Sequence, residues 1–338
     1  MHPRDLNQPP DPSRIISLAS AFYGSCTLFA ASDAGIFGKL AELGSADAST
    51  LADALALNRR GVELLLNGCV ALGLLVKEGD AFRNTPEASV FLVPGSPGDL
   101  SKAIRYNRDV YGAWGKLAEF VRSGEPVEKP ELHLGVDPER TRTFVLSMHG
   151  RALGIGRMVV PQLDLKGCKT LLDIGGGPGT YSTLIAQANP EIACTVLDLP
   201  DVAAVATELV AQAGMADRVK IIPGDYHTAA FPGGKDAVII FGALHQESPE
   251  SILDIFRRAY GALNPGGRIF VLDMMTDASH THPPFSALFA VNMALTTTNG
   301  WVFSDQELKG WLEEAGFHDF EMRPIPPPMP HWLGIAAK

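Results

Sequence analysis

The segment Lys169-Thr-Leu-Leu-Asp-Ile-Gly-Gly-Gly-Pro-Gly-Thr-Tyr-Ser-Thr-Leu-Ile185 decides the fold class of this chain. Its first residues are mostly apolar and predict a buried strand, and the residues from Thr180 to Ala188 have the periodicity of a helix. Between them, Gly175, Gly177 and Gly179 predict a tight turn whose backbone can approach a ligand without Cβ collisions. Downstream, short apolar runs alternate with helical stretches, which indicates an α/β fold with a doubly wound, Rossmann-like sheet.

The glycine spacing distinguishes between two classes of cofactor. A dinucleotide fingerprint has the spacing GxGxxG, whereas this turn has GxGxG, with Thr180 where the last glycine should be. Asp173 precedes the turn, and its carboxylate would repel a pyrophosphate. S-adenosylmethionine has no phosphate and carries an ammonium and a sulfonium. The pattern therefore favours S-adenosylmethionine over NAD as the cofactor.

Acidic residues also end the next two predicted strands. Asp198, followed by Leu199, ends the first of them, and a carboxylate at this place can accept both hydroxyls of a ribose. Asp225 and Tyr226 end the next one, where the carboxylate can accept from an adenine amino group and the ring can stack on the base. One such acid alone can be a helix cap or a solvated loop residue, but three at successive strand ends predict one site. The predicted cofactor-binding residues are Asp173, Gly175, Gly177, Gly179, Asp198, Leu199, Asp225 and Tyr226.

The first half of the chain has helical periodicity almost throughout. A capped helix is predicted from Asp47, a second helix follows it, and the segment around Glu78-Gly-Asp80 predicts a hairpin, which is the order of a winged helix. A winged helix that reads DNA needs several cationic side chains on its second helix. Here Arg59 and Arg60 are offset by Glu63, and the helix continues with apolar residues. This pattern favours a module that packs in a dimer, with a DNA-binding regulator as the alternative.

Length, composition and charge limit the class of protein. The chain has 338 residues, 46 % hydrophobic and 20 % charged, which predicts two globular domains. Its formal net charge of −10 argues against nucleic acid or an anionic membrane surface as the main partner. The proline-rich start has no signal-peptide core and no run of about 18 apolar residues follows, so a cytoplasmic protein with no membrane partner is predicted. The four cysteines are scattered, and His280 and His282 have no third ligand, so no metal site is predicted.

Several motifs occur in an order that is specific to one enzyme family. After the winged helix these are Asp173-Ile-Gly-Gly-Gly-Pro-Gly, Leu197-Asp-Leu-Pro, Gly224-Asp-Tyr, Ala243-Leu-His, Leu263-Asn-Pro-Gly-Gly-Arg and Leu312-Glu-Glu-Ala-Gly-Phe. Over nearly its whole length the chain resembles the O-methyltransferases of the plant caffeate and acetylserotonin type, which include bacterial enzymes that act on aromatic natural products. The resemblance implies a homodimer with swapped N-terminal domains and S-adenosylhomocysteine as a product. It also implies a dimerisation domain at 1–100, a helical linker at 101–160 that contributes to the substrate pocket, and a catalytic domain at 161–338.

The resemblance places a general base at His245, after the fourth predicted strand of the sheet. Methyl transfer from a sulfonium is a direct displacement, and a hydroxyl acceptor must lose its proton, which suits an imidazole with a pKa of about 6.5. Asp273 ends the fifth strand and matches a family carboxylate that orients the base. The alternative for His245 is a loop residue that caps the helix beginning near Ser248. Two departures from the family pattern lie nearby, because Gln246-Glu247 replaces Asp-Trp and Trp301-Val-Phe-Ser stands where the family has a second glutamate.

Four residues match family positions that face the substrate, namely Arg105, Met148, Met293 and Thr297. Methionine makes an adaptable apolar contact with a flat ring, although either Met can equally fill the core. A guanidinium near the pocket would favour an acidic substrate, and Arg105 is otherwise a plain surface charge. We predict methyl transfer from S-adenosylmethionine to a hydroxyl of a small aromatic metabolite. The alternatives are C- or N-methylation, or a non-methylating reaction of hydroxylase or pericyclase type that retains the cofactor.

Overall fold

The structure is a computed structural model of the chain and describes residues 10–96, 98–128, 137–327 and 329–338. The chain divides into two compact units, one ending at Arg108 and the other beginning at Asp109. Each unit has its own hydrophobic core. The first nine residues of the proline-rich start lie outside the described residues. The segment Gly124-Glu-Pro-Val-Glu-Lys-Pro130 predicts a loop, and its last two residues lie outside them as well.

The first unit is helical apart from one hairpin. Its elements are α1 (Ser13–Ser20), α2 (Phe22–Asp33), α3 (Ile36–Leu43), α4 (Ala48–Leu55), α5 (Arg59–Ala71), β1 (Leu75–Glu78), β2 (Ala81–Asn84), α6 (Pro86–Phe91) and the greater part of α7 (Ser101–Trp114). The predicted sequence of two helices and a hairpin is confirmed by α4, α5, β1 and β2. Asp47 accepts a hydrogen bond from the Thr50 amide at 2.7 Å and Asn58 accepts one from the Gly61 amide at 3.0 Å, so both helices are capped.

Helices α1 and α2 follow one another almost without a break from Ser13 to Asp33, and the most apolar 18-residue stretch of this segment has a mean hydropathy of 1.5. By length and composition alone this run could cross a membrane, although Ser17 and Ser20 interrupt its apolar sequence. A core helix of a soluble protein and a signal sequence can have the same length and composition. Only 6 % of its most apolar stretch is buried within the single chain, so the run presents an apolar surface.

The second unit is built on one seven-stranded sheet. Its helices are α8 (Leu117–Ser123), α9 (Pro138–Val159), α10 (Thr180–Ala188), α11 (Pro200–Gln212), α12 (Pro249–Ala262), α13 (Pro284–Thr296) and α14 (Asp305–Glu314). Its strands are β3 (Thr170–Ile174), β4 (Ala193–Asp198), β5 (Val219–Pro223), β6 (Lys235–Phe241), β7 (Leu263–Asp273), β8 (His318–Pro324) and β9 (Trp332–Ala337). They lie in the order β5-β4-β3-β6-β7-β9-β8, and among these strands β9 runs in the direction opposite to the other six. The predicted doubly wound α/β fold is confirmed.

Helix α9 is longer than the sequence predicts. Asp137-Pro-Glu-Arg predicts the start of a long helix that ends near Leu153, before Gly154 and Gly156, but the helix continues to Val159. Ile155 and Val159 are buried in the core on one face of the sheet, which stabilises this last part of the helix. Gly156 allows α9 to approach α10 closely, since a Cβ there would lie 2.5 Å from Cδ1 of Leu184.

The parallel strands end at one edge of the sheet, and the chain order reverses there between β3 and β6. Ligands of open α/β sheets bind at such a switch point, outside the carboxyl ends of the strands. The glycine turn follows β3, and His245 follows β6. Asp198 at the end of β4 and Asp273 at the end of β7 lie on either side of these two strands. The topology therefore brings together residues that are far apart in the sequence.

Candidate active site

The three alternate glycines of the turn have left-handed backbone conformations, with φ of 65°, 54° and 69° at Gly175, Gly177 and Gly179. Other residues are strained in this region, so the turn requires glycine. A Cβ built on Gly177 would have no neighbouring heavy atom within 4 Å, whereas one on Gly175 would lie 3.2 Å from Cβ of Ala243 and 3.3 Å from Cε1 of Tyr226. The turn is therefore open at Gly177 and closely packed at Gly175.

Asp173 lies under the glycine turn and is fully buried. A Cβ on Gly176 would be 2.7 Å from both of its carboxylate oxygens. Oδ2 accepts a hydrogen bond from Oγ of Ser182 at 2.7 Å, while Oδ1 has no partner among the described residues. Burial raises the pKa of Asp173 to about 7. A buried carboxylate with an unused acceptor suits a cationic group, so these residues fit the ammonium of S-adenosylmethionine.

Asp198 joins the end of β4 to the glycine turn. Its Oδ2 accepts a hydrogen bond from the amide of Gly177 at 2.7 Å, and its Oδ1 accepts one from the amide of Leu199 at 2.7 Å. Burial raises the pKa of Asp198, and the two amide donors oppose this effect. A carboxylate has about four acceptor positions, so Asp198 retains acceptor capacity for the two hydroxyls of a ribose. Leu199 contributes its backbone amide to this arrangement.

A hydrogen-bonded network holds the loop that carries Asp225 and Tyr226. Oη of Tyr226 donates to Oε1 of Glu247 at 2.6 Å. The ring of His227 lies between two carboxylates, with Nδ1 2.7 Å from Oδ1 of Asp225 and Nε2 2.8 Å from Oε2 of Glu247. In the sequence, Glu247 stands out only as a departure from the pattern of the family that the chain resembles. No local signal connects it with the loop, because its two partners there are 20 and 21 residues away.

His245 and Asp273 meet at the edge of the sheet, with Nδ1 of the imidazole 2.7 Å from Oδ1 of the carboxylate. The side chain of Asp273 is 1 % exposed and that of His245 is 13 % exposed. Because Nδ1 donates to Asp273, the other ring nitrogen, Nε2, is the basic one in the neutral imidazole. No hydrogen bond from the described residues engages Nε2. Ser248, and not His245, caps α12 by accepting from the amide of Ser251 at 3.3 Å.

Apolar side chains of α13 lie beside this histidine. The ring of Phe289 contacts that of His245 edge to face, with centroids 5.2 Å apart. Met293 is buried and packs in the same cluster as Phe289. Oγ1 of Thr297 donates to the carbonyl oxygen of Met293 at 2.8 Å, so its hydroxyl is engaged with its own helix. Of the four predicted substrate-facing residues, Met293 therefore lies on the helix that contacts the base and Thr297 directly follows it.

The other two predicted substrate-facing residues lie on different elements. Met148 is half-buried on α9 in the second unit, and Arg105 is exposed on α7 in the first unit. A polar pair of the second unit that the sequence did not predict is formed by Trp114 and Asn292, whose side chains are joined by a 2.8 Å hydrogen bond from Nε1 to Oδ1. Asn292 is buried beside Met293 on α13.

A second histidine, which no motif marked, lies at the same edge of the sheet. His331 directly precedes β9, is 7 % exposed, and has a buried Nδ1 without a partner among the described residues. Burial lowers its pKa to about 4, and the charge of Arg151 on α9 acts in the same direction, while Asp273 opposes it. His331 is therefore a neutral histidine with an unused ring nitrogen in the electrostatic reach of the His245–Asp273 pair.

Within the described ranges, no three side chains of His, Cys, Asp or Glu are grouped so that they could hold a metal ion. Nε2 of His280 lies 3.5 Å from Oε2 of Glu307, and Nδ1 of His282 lies 3.7 Å from Oδ2 of Asp277. Each histidine of the HxH pair thus has its own carboxylate neighbour, and the four side chains do not converge on one point.

Comparison with known proteins gives consistent matches along the chain. A family model described as an O-methyltransferase domain matches residues 129–318, and one described as an O-methyltransferase dimerisation domain matches residues 16–94. The 3-hydroxy-5-methyl-1-naphthoate 3-O-methyltransferase of Streptomyces sahachiroi is 32% identical, over 90% of this chain and 89% of that protein. The N,N-dimethyltransferase OxyT of Streptomyces rimosus is 30% identical, over 96% of each chain. The crystal structure of human N-acetylserotonin methyltransferase in complex with S-adenosylmethionine is similar, with a TM-score of 0.87, 26% identity and 99% of both chains covered.

Proposed function

The chain belongs to the O-methyltransferase family and is an S-adenosylmethionine-dependent methyltransferase, and on this premise we propose that it methylates a hydroxyl oxygen of a small aromatic metabolite, with His245 as the general base. The observation that carries the proposal is the 2.7 Å hydrogen bond between His245 and Asp273 at the switch point of the sheet. The Streptomyces sahachiroi relative is named for O-methylation of a hydroxynaphthoate, which supports an aromatic hydroxyl as the acceptor.

The proposed chemistry assigns one task to each residue of the pair. When bound, S-adenosylmethionine supplies an electrophilic methyl group on its sulfonium. Nε2 of His245 accepts the proton of the acceptor hydroxyl as the oxygen attacks. Asp273 holds the imidazole in orientation through Nδ1 and stabilises the imidazolium that forms. The ring of Phe289 covers part of the imidazole and limits the access of water to the base.

In this proposal the cofactor is held by carboxylate oxygens that can still accept hydrogen bonds. Oδ1 of Asp173 is proposed to accept a hydrogen bond from the ammonium, and Asp198 to accept hydrogen bonds from the ribose hydroxyls. The cofactor would pass the turn at Gly177, where the backbone is not covered by neighbouring atoms of the described residues. Asp225 is proposed to accept from the adenine amino group, and Tyr226 to stack on the ring. The substrate-facing roles of Arg105, Met148, Met293 and Thr297 remain predictions, as do the limits of the dimerisation domain, linker and catalytic domain.

A labelled-donor assay tests the proposal directly. The purified protein is incubated with methyl-deuterated S-adenosylmethionine and a panel of phenols, hydroxyquinones and aromatic acids, and the products are analysed by mass spectrometry. A labelled ether or ester, formed in step with S-adenosylhomocysteine, supports O-methylation, and fragmentation locates the methyl group. Loss of labelled product in His245→Ala, with cofactor binding retained, supports the base role, whereas undiminished turnover rejects it.

N- or C-methylation is the second candidate function. The Streptomyces rimosus relative is named as an N,N-dimethyltransferase at 30% identity, and this chain has Gln246-Glu247 after its histidine where the resembling family has Asp-Trp. The same assay distinguishes the candidates, because an amine or a ring carbon would carry the deuterated methyl. A non-methylating reaction would give product without S-adenosylhomocysteine.

The match to an O-methyltransferase dimerisation domain at residues 16–94 suggests a homodimer. We propose that the apolar surface of α1 and α2 is covered by a second copy of the chain, which would also account for an apolar run that is exposed in the single chain. Ile15, Leu18 and Tyr23 are 72 %, 64 % and 64 % exposed there. The cytoplasmic location stays a prediction.

A further inference from the structure

The geometry points to Glu247 as a positioning residue that fixes Tyr226 and Asp225 in the conformation in which they receive the adenine ring. This inference rests on the proposed roles of Asp225 and Tyr226 in cofactor binding. It concerns a residue at which the chain departs from the pattern of the family it resembles, so the family pattern supplies no role for it.

Glu247 is a buried carboxylate whose two oxygens both accept hydrogen bonds. It is 4 % exposed. Its Oε1 accepts from Oη of Tyr226 at 2.6 Å, and its Oε2 accepts from Nε2 of His227 at 2.8 Å and from Oγ of Ser251 at 2.6 Å. Its backbone carbonyl accepts from Nε1 of Trp301 at 2.7 Å. A buried charge is tolerated when partners of this number and geometry surround it, and it then holds those partners in place.

Tyr226 and Asp225, the two residues proposed to receive adenine, are both connected to the Glu247 carboxylate by hydrogen bonds. Tyr226 is hydrogen-bonded to it directly through its hydroxyl. Burial together with the charge of Glu247 raises the pKa of Tyr226 well above its ordinary value, so the hydroxyl keeps its proton and donates it to the carboxylate. Asp225 is tied through His227, whose two ring nitrogens face Asp225 and Glu247. Partial burial lowers the pKa of His227, but its hydrogen bonds to the two carboxylates outweigh this and raise it. A protonated His227 donates to both.

The backbone of the same loop is held from α12. Nη1 of Arg258 donates to the carbonyl oxygens of Tyr226 at 2.7 Å and of His227 at 3.2 Å, and its other terminal nitrogen donates to that of Ala229. The guanidinium also pairs with Asp254 at 3.2 Å and lies over the ring of Phe231, 4.1 Å from its centroid. With the loop backbone fixed, the direction of the Tyr226 ring is set at its hydroxyl, which donates to Oε1 of Glu247 at 2.6 Å and accepts from Nε2 of Gln246 at 3.2 Å. The bond to Glu247 is the shorter of the two and involves a carboxylate, so we expect it to contribute more.

The ring of Tyr226 packs against the glycine turn, since a Cβ on Gly175 would lie 3.3 Å from its Cε1. A ring fixed in this position before binding does not lose rotamer freedom when the cofactor arrives, and such preorganisation improves affinity. Methyl transfer takes place at the sulfonium, at the other end of the cofactor. The arrangement of Glu247 therefore affects cofactor affinity and leaves the chemical step unaffected.

The test is a double-mutant cycle on cofactor affinity, with S-adenosylhomocysteine as the probe in isothermal titration calorimetry. The variants are Glu247→Gln, Tyr226→Phe and the double variant, with Glu250→Gln as the matched control, because Glu250 lies exposed in the first turn of α12 and undergoes the same change of charge. Each single variant is expected to weaken binding about tenfold, and the double variant little more than either one. Glu250→Gln is expected to bind like the wild type.

A steady-state measurement separates positioning from a general loss of structure. With the acceptor found by the labelled-donor assay, KM for S-adenosylmethionine is expected to rise about tenfold in Glu247→Gln, while kcat and the KM for the acceptor change less than about twofold. The thermal unfolding temperature of Tyr226→Phe is measured as well. If it equals that of the wild type, the loss of cofactor affinity in this variant does not come from a loss of structure.

Two results would overturn the inference. One is an affinity of Glu247→Gln equal to that of the wild type, and the other is a double variant whose loss equals the product of the single losses, which would mean that Glu247 does not act through Tyr226. Either result leaves the proposed methyl transfer standing if the wild type transfers label. A wild type that neither binds S-adenosylhomocysteine nor transfers label rejects the proposed function itself.

Discussion

The Nδ1 atom of His245 lies 2.7 Å from Oδ1 of Asp273, although 28 residues separate the two in the sequence. The same Oδ1 accepts a hydrogen bond from the amide of Met274 at 2.8 Å, so two donors fix the carboxylate. The carboxylate in turn determines which imidazole nitrogen is basic. Through this hydrogen bond Asp273 positions the imidazole, so its substitution is expected to lower kcat and to leave cofactor affinity unchanged.

Asp273→Asn is expected to lower kcat about 10²- to 10⁴-fold, because an amide can hold the imidazole in the wrong tautomer and does not stabilise its protonated form. The affinity for S-adenosylhomocysteine, measured by calorimetry, should stay within about twofold, since Asp273 has no proposed cofactor contact. Asp277→Asn, on an exposed loop, is the control and should retain activity. A parallel loss of activity and cofactor binding in Asp273→Asn would contradict the assigned role.

Cofactor binding is expected to release protons near neutral pH. The pKa of Asp173 is raised to about 7 by burial, so at pH 7 about half of the molecules carry a proton there, and an ammonium beside Oδ1 would lower this pKa. Calorimetry with S-adenosylhomocysteine in buffers of different ionisation enthalpy should show release of up to about half a proton at pH 7 and a smaller release at pH 8. The control ligand is 5′-methylthioadenosine, which has the nucleoside without the ammonium. Equal proton release with both ligands would show that Asp173 does not receive the ammonium.

Removing the charge of Asp173 is expected to stabilise the protein at high pH. The folded-state pKa of about 7 exceeds the ordinary aspartate value of 3.8, so the folded protein binds more protons than the unfolded chain between these two pH values. Its stability therefore falls as the pH rises through this interval. Asp173→Asn, which keeps an acceptor for Ser182, should therefore gain up to about 4 kcal/mol over the wild type at pH 8 and show no such gain at pH 3. Chemical denaturation at the two pH values measures the difference. A gain that does not depend on pH would have another origin.

Two glycines of α9 offer a matched pair for testing how this helix packs. A Cβ on Gly156 would lie 2.5 Å from Cδ1 of Leu184, whereas one on Gly154 would have no neighbouring heavy atom within 4 Å. Gly154→Ala should stabilise the protein by about 0.5–1 kcal/mol through helix propensity. Gly156→Ala should be less stable than Gly154→Ala by about 1–3 kcal/mol, because Leu184 must move. Equal stability in denaturant titrations would mean that α9 and α10 are not packed closely at this point.

The apolar surface of α1 and α2 should control the oligomeric state. Leu18→Glu places a charge on the proposed subunit interface and should raise the dimer dissociation constant at least about tenfold, as measured by sedimentation velocity. Val121→Glu is the matched control, because Val121 is 74 % exposed and lies outside the residues matched by the dimerisation-domain model. A Leu18→Glu variant that remains as dimeric as the wild type would place the interface elsewhere.

Local chemistry explains the features that could be predicted. Asp47 and Asn58 cap their helices as side chains of their type do at the start of a helix, independently of what packs around them. The glycines of the turn are required by their own φ angles. The end of α9 could not be predicted in this way, because Ile155 and Val159 are held by the core of the sheet and override the helix-breaking tendency of the intervening glycine.

The sequence by itself determined the α/β sheet, the glycine turn, the acids at the strand ends and the histidine after β6, because each depends on residues within a few positions of one another. Only the tertiary structure decided which of these side chains contact one another and which retain a polar atom without a hydrogen bond among the described residues. Parallel strands bring their carboxyl ends together whatever their separation in the chain, so the pairing of His245 with Asp273 follows from topology. Packing left Oδ1 of Asp173 without a hydrogen-bond partner among the described residues and surrounded Glu247 with donors. Desolvation depends on the packed surroundings of an atom, which local sequence does not specify.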